Sequence, residues 1–455
     1  MNFPKKTSLA IATFVLLAAG LEYGPGPSWL RLRKTRILEA FDFGPVSGAL
    51  PQGPAKASPT ARTADRKGLA KTPVRQQDVR QIADPSGAMA HFYEALARTE
   101  RREPGAITQV LHYGDSPVTA YSITADARAI LQKRFGDAGH GFVLIAKPWA
   151  WYGHRGIQLK GSGWRMAAAT QSRAKDGFHG LGGVSFEGAP GATSTITLPD
   201  DQHTRLEVQY LQQPEGGVFH LEGNAGPIGD VNTAGETKEP GFASFGLPAG
   251  TGKITLSVIS GTVRLFGWTF QKKGPGVIYH SLGLNGAQVQ AVLRYFDAGQ
   301  WTIELQHERP DLVVINYGTN ESVFPEYIER QYPGELRKVI ERVKQAVPNA
   351  SVLVMSPMDR GERDSTGDIV TVPILPRIVE IQRAEAIAAG CAFFDTFDAM
   401  GGAGTMARWY ESQPRLVSAD FTHPLPAGAA RVGGLLDDAL MRGYARFQAS
   451  TGGAK

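Results

Sequence analysis

The chain has 455 residues but a single cysteine, Cys391. An intrachain disulfide is therefore excluded. The neighbours Ala392-Phe393-Phe394 mark Cys391 as a small apolar residue of a buried strand rather than a reactive thiol. Metal-ligand spacing is missing too: His140, His179, His203, His220 and His280 are scattered, so no metal and no organic cofactor is expected. Gly180–Gly183 is followed by neither Lys-Ser nor Lys-Thr, which excludes a phosphate loop. No aromatic–basic module of a nucleic-acid reader is present. The net charge of +5 owes much to Arg31–Arg36 and Arg62–Arg80, which read as an anchor flank and a linker, so no nucleic-acid partner is expected. The N-terminal apolar run Leu9–Leu21 is about 13 residues, short of the roughly 20 that a membrane span needs.

What that run does have is Lys5 and Lys6 in front of it, the charged and apolar regions of an export signal. No clean A-x-A site follows, because Ala18-Ala19-Gly20 runs into Leu21-Glu22-Tyr23. Residues 1–24 are thus expected to be a cleaved signal peptide or an uncleaved membrane anchor, with a buried N-terminal helix as the alternative. Either of the first two places the protein in the periplasm or cell envelope, and the second attaches it to the inner membrane. From Phe43 to Asp84 the chain is rich in Pro, Ala, Gly, Thr, Lys and Arg. Such a stretch cannot bury enough apolar surface to offset its ordering entropy, so 25–84 is expected to be a flexible linker.

Beyond Ser86 the apolar content, 42% for the whole chain, is distributed as in a globular protein. Ala88–Arg98 reads as a helix, Ile107–His112 as a buried strand, and the stretch from Ser116 to Phe135 as helical. Between about Gly156 and Lys273 helical periodicity gives way to short alternating runs separated by Gly and Pro: Thr193–Leu198, Arg205–Leu211, Val218–Glu222, Lys253–Ile259 and Val263–Phe270. That pattern is an all-β sandwich. After Gly274 strands and helices alternate again. Val277–His280, Leu312–Ile315, Val352–Met355 and Ala392–Phe394 are strand-like. Ala287–Phe296, the stretch containing Leu336, Val339, Ile340 and Val343, Ile378–Ala388 and the chain from Ala427 are helical. Strands alternating with helices imply a parallel sheet covered on both faces. The expected architecture is an α/β domain in two parts, 85–155 and 274–448, interrupted by an inserted β sandwich, 156–273.

Three short motifs carry chemistry. His112-Tyr113-Gly114-Asp115-Ser116 sits where a buried strand meets a helix. Ligands bind at such strand ends in open α/β sheets, and the serine N–H lies near a helix N-terminus suited to an oxyanion. Tyr317-Gly318-Thr319-Asn320 ends another apolar strand, and its Asn320 amide can donate to developing negative charge. Asp420-Phe421-Thr422-His423-Pro424 offers a base and, three residues earlier, an acid able to hold the other ring nitrogen. Each motif alone is an ordinary turn or helix cap. Together they occur in order, at strand ends, with the last just before the terminal helix.

In these blocks the chain resembles the SGNH hydrolases, the GDSL-type esterases. The family's Gly-Asp-Ser, later glycine, Gly-x-Asn and Asp-x-x-His match Gly114-Asp115-Ser116, Gly286, Gly318-Thr319-Asn320 and Asp420–His423. The resemblance implies Ser116 as nucleophile, His423 as general base and acid, and Asp420 as its orienter. It implies an oxyanion hole of the Ser116 and Gly286 N–H groups and the Asn320 amide, with Gly283 the alternative glycine. Pro117 departs from the family pattern and makes the rim unlike that of lipase-like members. Phe135–Gly141 (FGDAGHG), Gly161-Ser162-Gly163-Trp164 and the β-rich insert are similar to bacterial peptidoglycan O-acetylesterases of the Ape type. That likeness implies removal of small acyl groups, acetyl foremost, from a glycan polymer. Trp149, Trp151 and Tyr152 at the entry to the insert could stack on sugar rings or form an apolar seam between domains. Two other readings stay open: a glycan O-acetyltransferase using the same triad, and a non-catalytic glycan-binding protein.

Overall fold

The computed structural model describes residues 81–119, 122–171 and 173–452. Segment 1–24 and most of 25–84 lie outside the described residues. The end of the expected linker is already anchored: Ile82 is buried, and Ala83 and Phe393 exchange two N–H···O bonds of 2.9 Å. The exposed edge of a sheet offers backbone groups for such pairing, so order starts ahead of Ser86.

Along the chain run β1 (Ile107–Gly114), β2 (Gly139–Leu144), β3 (Gln158–Ala168), β4 (Val184–Thr197), β5 (His203–Gln212), β6 (Val218–Gly223), β7 (Gly226–Asn232) and β8 (Glu239–Gly246). They are followed by β9 (Lys253–Ser260), β10 (Val263–Lys272), β11 (Gly276–Gly283), β12 (Leu312–Asn316), β13 (Ser351–Met355), the hairpin β14 (Gly361–Arg363) and β15 (Ile369–Thr371), and β16 (Ala392–Phe394).

Five of these form the expected parallel sheet, in the order β11-β1-β12-β13-β16. Their sequences are apolar throughout because both faces are buried. Side chains nevertheless alternate between two cores. Leu111, Val313, Ile315, Val352, Val354 and Phe393 point to one, shared with helices Tyr332–Ala346 and Leu375–Ala388. Val110, Leu312, Val314, Leu353, Met355 and Phe394 point to the other, beneath helices Ala90–Glu100, Ile123–Phe135 and Pro426–Gly452.

The inserted β region is one antiparallel nine-stranded sheet, ordered β7-β6-β9-β4-β10-β5-β8, with β3 added to β4 and β2 to β10. It curls back on itself: a Cβ on Gly229 of β7 would lie 2.7 Å from the Phe245 ring of β8, at the opposite end of the strand order. Strands β3, β7 and β8 give no alternating signal because much of their length is exposed. β2 precedes the insert in sequence yet pairs with β10.

The α/β part and the insert meet along β5 and β8. His307, on helix Ala298–Glu308, is 2.7 Å from Glu207 of β5 and stacks on Phe242 of β8 with ring centroids 3.7 Å apart. Gln209 donates to Glu308 at 2.5 Å. One helix differs from expectation. Only Ala291–Arg294 of the stretch Ala287–Phe296 is helical, and the longer helix begins after Asp297, whose carboxylate caps the Gln300 N–H at 2.8 Å.

Candidate active site

β1 ends at Gly114, and the short helix Ser116–Thr119 starts at once. The Asp115 carbonyl accepts the Val118 and Thr119 N–H groups at 3.1 and 3.0 Å. Pro117 is tolerated because the first helical turn needs no N–H from it. Gly114 makes the turn possible, since a Cβ there would lie 2.5 Å from Val118 Cγ2 and 2.8 Å from the Asn316 carbonyl. Ser116 is thereby held at the carboxyl end of the sheet, 8% exposed.

The opposite wall is the loop before helix Pro426–Gly452. Asp420 Oδ1 accepts the N–H groups of Thr422 and His423 at 2.9 and 3.0 Å and the Ser418 hydroxyl, while Oδ2 lies 2.6 Å from His423 Nδ1. This turn requires Phe421 in the left-handed region, at φ 54°, a strained setting for a bulky residue. The buried Phe421 ring, packed edge-on against Tyr410 at 4.8 Å, holds it there. His423 Nε2 is 2.7 Å from Ser116 Oγ. Ser116, His423 and Asp420 thus form one hydrogen-bonded line.

Burial works against the Asp420 carboxylate, but the bonds from the His423 ring and N–H, Ser418 and Thr422 outweigh it. They hold the carboxyl well below the usual range. The bond to Asp420 in turn raises His423 above its ordinary value, against its partial burial. Asp115 is buried, and that burial pushes its carboxyl up to about 6 although Thr319 and the His423 charge oppose the shift.

Two loops complete the site. Gly286 lies beyond β11 at φ 71°, with nothing within 4 Å of where a Cβ would stand. Gly283, the alternative, ends β11 opposite Gly114, and a Cβ on it would sit 2.0 Å from the Thr119 N. Its lack of a side chain serves packing. Asn320 donates one amide hydrogen to the Ala287 carbonyl at 2.8 Å, which ties it to the Gly286 loop and leaves the second hydrogen available.

Two neighbours escaped sequence reasoning. Glu321 is fully buried, and its carboxylate accepts the Val289 N–H at 2.7 Å and the Gly318 N–H at 3.1 Å. It clamps the Gly286 and Asn320 loops together. Burial pushes it up to about 8 despite those two donors, with the Asp115 charge adding to the rise. Its position directly after Asn320 was the signal available. Arg360 donates to the Thr319 carbonyl at 3.1 Å and Ser322 Oγ at 2.7 Å. Nothing in its sequence neighbourhood pointed to it.

Of the three aromatic residues at the entry to the insert, Tyr152 is turned into the core, where its hydroxyl accepts the Leu144 N–H at 2.9 Å. Tyr152 is therefore a seam residue and not a sugar platform. Trp149 is half-buried against the same core, and Trp151 is 58% exposed, their rings 6.5 Å apart. Among the described residues no group of three or more His, Cys, Asp or Glu is arranged to hold a metal.

Residues 255–431 match the model of the GDSL-like Lipase/Acylhydrolase family. That span includes Gly286, Asn320, Asp420 and His423, whereas Ser116 precedes the insert. A solved peptidoglycan O-acetylesterase superposes with TM-score 0.68 at 20% identity, covering 80% of this chain and 99% of its own. An acetyl xylan esterase matches at TM-score 0.26 and 17% identity, over 35% of this chain and 78% of its own. A carbohydrate-binding module of a Cellvibrio mixtus lichenase matches at TM-score 0.21 and 14% identity, over 30% of this chain and 98% of its own. No curated protein matches the sequence. Residues 255–431 are thus similar to the GDSL-like lipase/acylhydrolase family, and the chain shares its fold with a solved peptidoglycan O-acetylesterase.

Proposed function

We propose that this chain is an exported serine esterase that removes O-acetyl groups from a cell-wall glycan, peptidoglycan foremost. The observation that carries the reading is the line Ser116 Oγ to His423 Nε2 at 2.7 Å and His423 Nδ1 to Asp420 Oδ2 at 2.6 Å. In this reading Ser116 Oγ attacks the ester carbonyl while His423 takes its proton. The oxyanion meets the Ser116 and Gly286 N–H groups and the second Asn320 amide hydrogen. His423 then gives its proton to the departing sugar oxygen. A water, deprotonated by the same ring, cleaves the acyl-enzyme, releases acetate and restores Ser116.

The fold shared with a peptidoglycan O-acetylesterase, the Phe135–Gly141 motif and the β insert support peptidoglycan as the glycan. Lys5, Lys6 and Leu9–Leu21 support export, and the exposed Trp151 is a candidate sugar contact. Acetate release from O-acetylated peptidoglycan and from acetylated xylan, by the wild type and by Ser116→Ala, tests the reading. The expected result is release from peptidoglycan by the wild type and a loss of about 10³-fold or more in the variant. Full activity in Ser116→Ala would refute it.

A further inference from the structure

Asp420 uses its two carboxylate oxygens unequally. Oδ2 accepts from His423 Nδ1 at 2.6 Å and, among the described residues, from no other group. Oδ1 accepts three donors: the Thr422 N–H at 2.9 Å, the His423 N–H at 3.0 Å and the Ser418 hydroxyl. Two of those three are backbone groups that the turn supplies whatever its sequence. The third depends on the side chain at position 418.

The backbone fixes where that side chain stands. The Ser418 N–H donates to the His423 carbonyl at 2.9 Å, and the Ser418 carbonyl accepts the Phe421 N–H at 3.1 Å. Behind it the Leu425 N–H returns to the Leu416 carbonyl at 2.8 Å. From the β14–β15 hairpin the Gly361 N–H donates to the Phe421 carbonyl at 2.9 Å. These four bonds close residues 416–425 into a loop, with half-buried Ser418 at its base beside the carboxylate. A solvent molecule serving Oδ1 instead would carry its own ordering entropy.

A carboxylate with three donors on one oxygen is a weaker base than one with two, because each bond favours the charged form. In a Ser-His-Asp line the acid must hold the imidazolium without taking its proton. Burial alone would raise the Asp420 carboxyl, and the bonds from His423, Ser418 and Thr422 hold it well below the usual range. The donors on Oδ1 also keep the carboxylate plane from turning, so Oδ2 stays aimed at Nδ1. Two other charged groups act on the His423 ring. Asp115, from the turn after β1, raises it, and Arg360, just ahead of the β14–β15 hairpin, lowers it. Neither is hydrogen-bonded to Ser418 among the described residues, so both stay constant when Ser418 is changed.

We propose that Ser418 is a further positioning residue of this site: its hydroxyl occupies Asp420 Oδ1, so that Oδ2 serves the His423 ring with fixed direction and limited basicity. The inference rests on the esterase reading and deepens it, adding a fourth side chain to the line of Ser116, His423 and Asp420. Its sign is diagnostic. Without the hydroxyl Asp420 becomes a stronger base and a stronger partner for the protonated ring, so the His423 midpoint rises. A hydroxyl that merely propped the turn would act the other way. Its loss would loosen the Asp420–His423 bond and let the midpoint fall toward 6.5.

The test titrates His423 by NMR in the full chain labelled at histidine, with the signal assigned by its loss in His423→Gln. The pH dependence of kcat/KM for 4-nitrophenyl acetate is measured alongside. In Ser418→Ala both midpoints are expected to rise by about 0.5 on the pH scale and kcat to fall about three- to ten-fold, the share of one charge-assisted hydrogen bond that reaches the neighbouring ring. Ser418→Thr keeps the hydroxyl and should return both to the wild-type values. Thermal melts confirm that each variant is folded. An unmoved or lowered midpoint in Ser418→Ala, or a Ser418→Thr midpoint that stays with that of Ser418→Ala, would overturn the proposal. Absence of turnover by the wild type, with the His423 signal still raised in Ser418→Ala, would instead refute the esterase reading and uphold the role of Ser418, so the two failures are distinguishable.

Discussion

His423 must be neutral to accept the Ser116 proton, and its bond to Asp420 raises it above the ordinary 6.5. Below that raised value the ring is protonated and cannot act as base. With an uncharged ester, kcat/KM is therefore expected to fall as pH drops through a midpoint above 6.5. Asp420→Asn removes the raising bond, so the midpoint should move to lower pH while kcat falls about 10³–10⁴-fold through the wrong tautomer. A pH–rate profile with an unmoved acid limb would contradict this assignment. Glu321 gives an opposite kind of pH dependence. With its carboxyl pushed up to about 8 by burial, the folded state keeps a proton that the unfolded chain loses near 4.5. Raising pH from 4.5 towards 8 then favours unfolding. Glu321→Gln should make melting temperature less dependent on pH over that window. It should also lower kcat, because the amide nitrogen cannot accept one of the two backbone N–H bonds that the Glu321 carboxyl oxygens take from Val289 and Gly318.

The loops that end β1, β11 and β12 separate two kinds of glycine. A methyl on Gly283 would meet the Thr119 backbone at 2.0 Å, and backbone cannot step aside as a side chain can. Gly283→Ala is expected to cost about 1–3 kcal/mol or more and to lower the melting temperature by several degrees. Gly286→Ala meets no atom and carries only the left-handed strain, about 1–2 kcal/mol. It should stay folded, and any loss should appear in kcat. At this scale most of the α/β elements were legible, because buried parallel strands and amphipathic helices carry strong patterns. Strands β3, β7 and β8 were not, since exposure removes the alternation that reveals a strand. The helix expected over Ala287–Phe296 was displaced by the Asp297 cap and by Glu321, which holds Val289 N–H in a loop.

Across the whole molecule the insert and the α/β part share one buried apolar cluster. It runs from Trp268 and Leu206 in the curled sheet to Trp301 and Leu111 in the other domain. Glu207, His307, Phe242, Gln209 and Glu308 form its polar rim. Urea unfolding followed by far-UV circular dichroism and by tryptophan fluorescence is therefore expected to give one coincident transition. Two separated transitions would show that the β region folds independently. His307→Ala should lower the midpoint, because it removes the stack on Phe242 and a partner of Glu207.

By itself the sequence determined what depends on local spacing. The strand-ending Gly114-Asp115-Ser116, the Gly318-Thr319-Asn320 turn and the Asp420–His423 turn each mark a chemically suited residue within a few positions. The interrupted α/β rhythm announced the insert. Tertiary structure alone decided what meets across the chain. Ser116 and His423 are 307 residues apart and face each other at 2.7 Å. Glu321 becomes a clamp, and Arg360 a neighbour of the catalytic turn, only when three loops converge at one sheet end. Tyr152 turns inward for the same reason: its fate depends on which surfaces pack against it, and no local pattern encodes that.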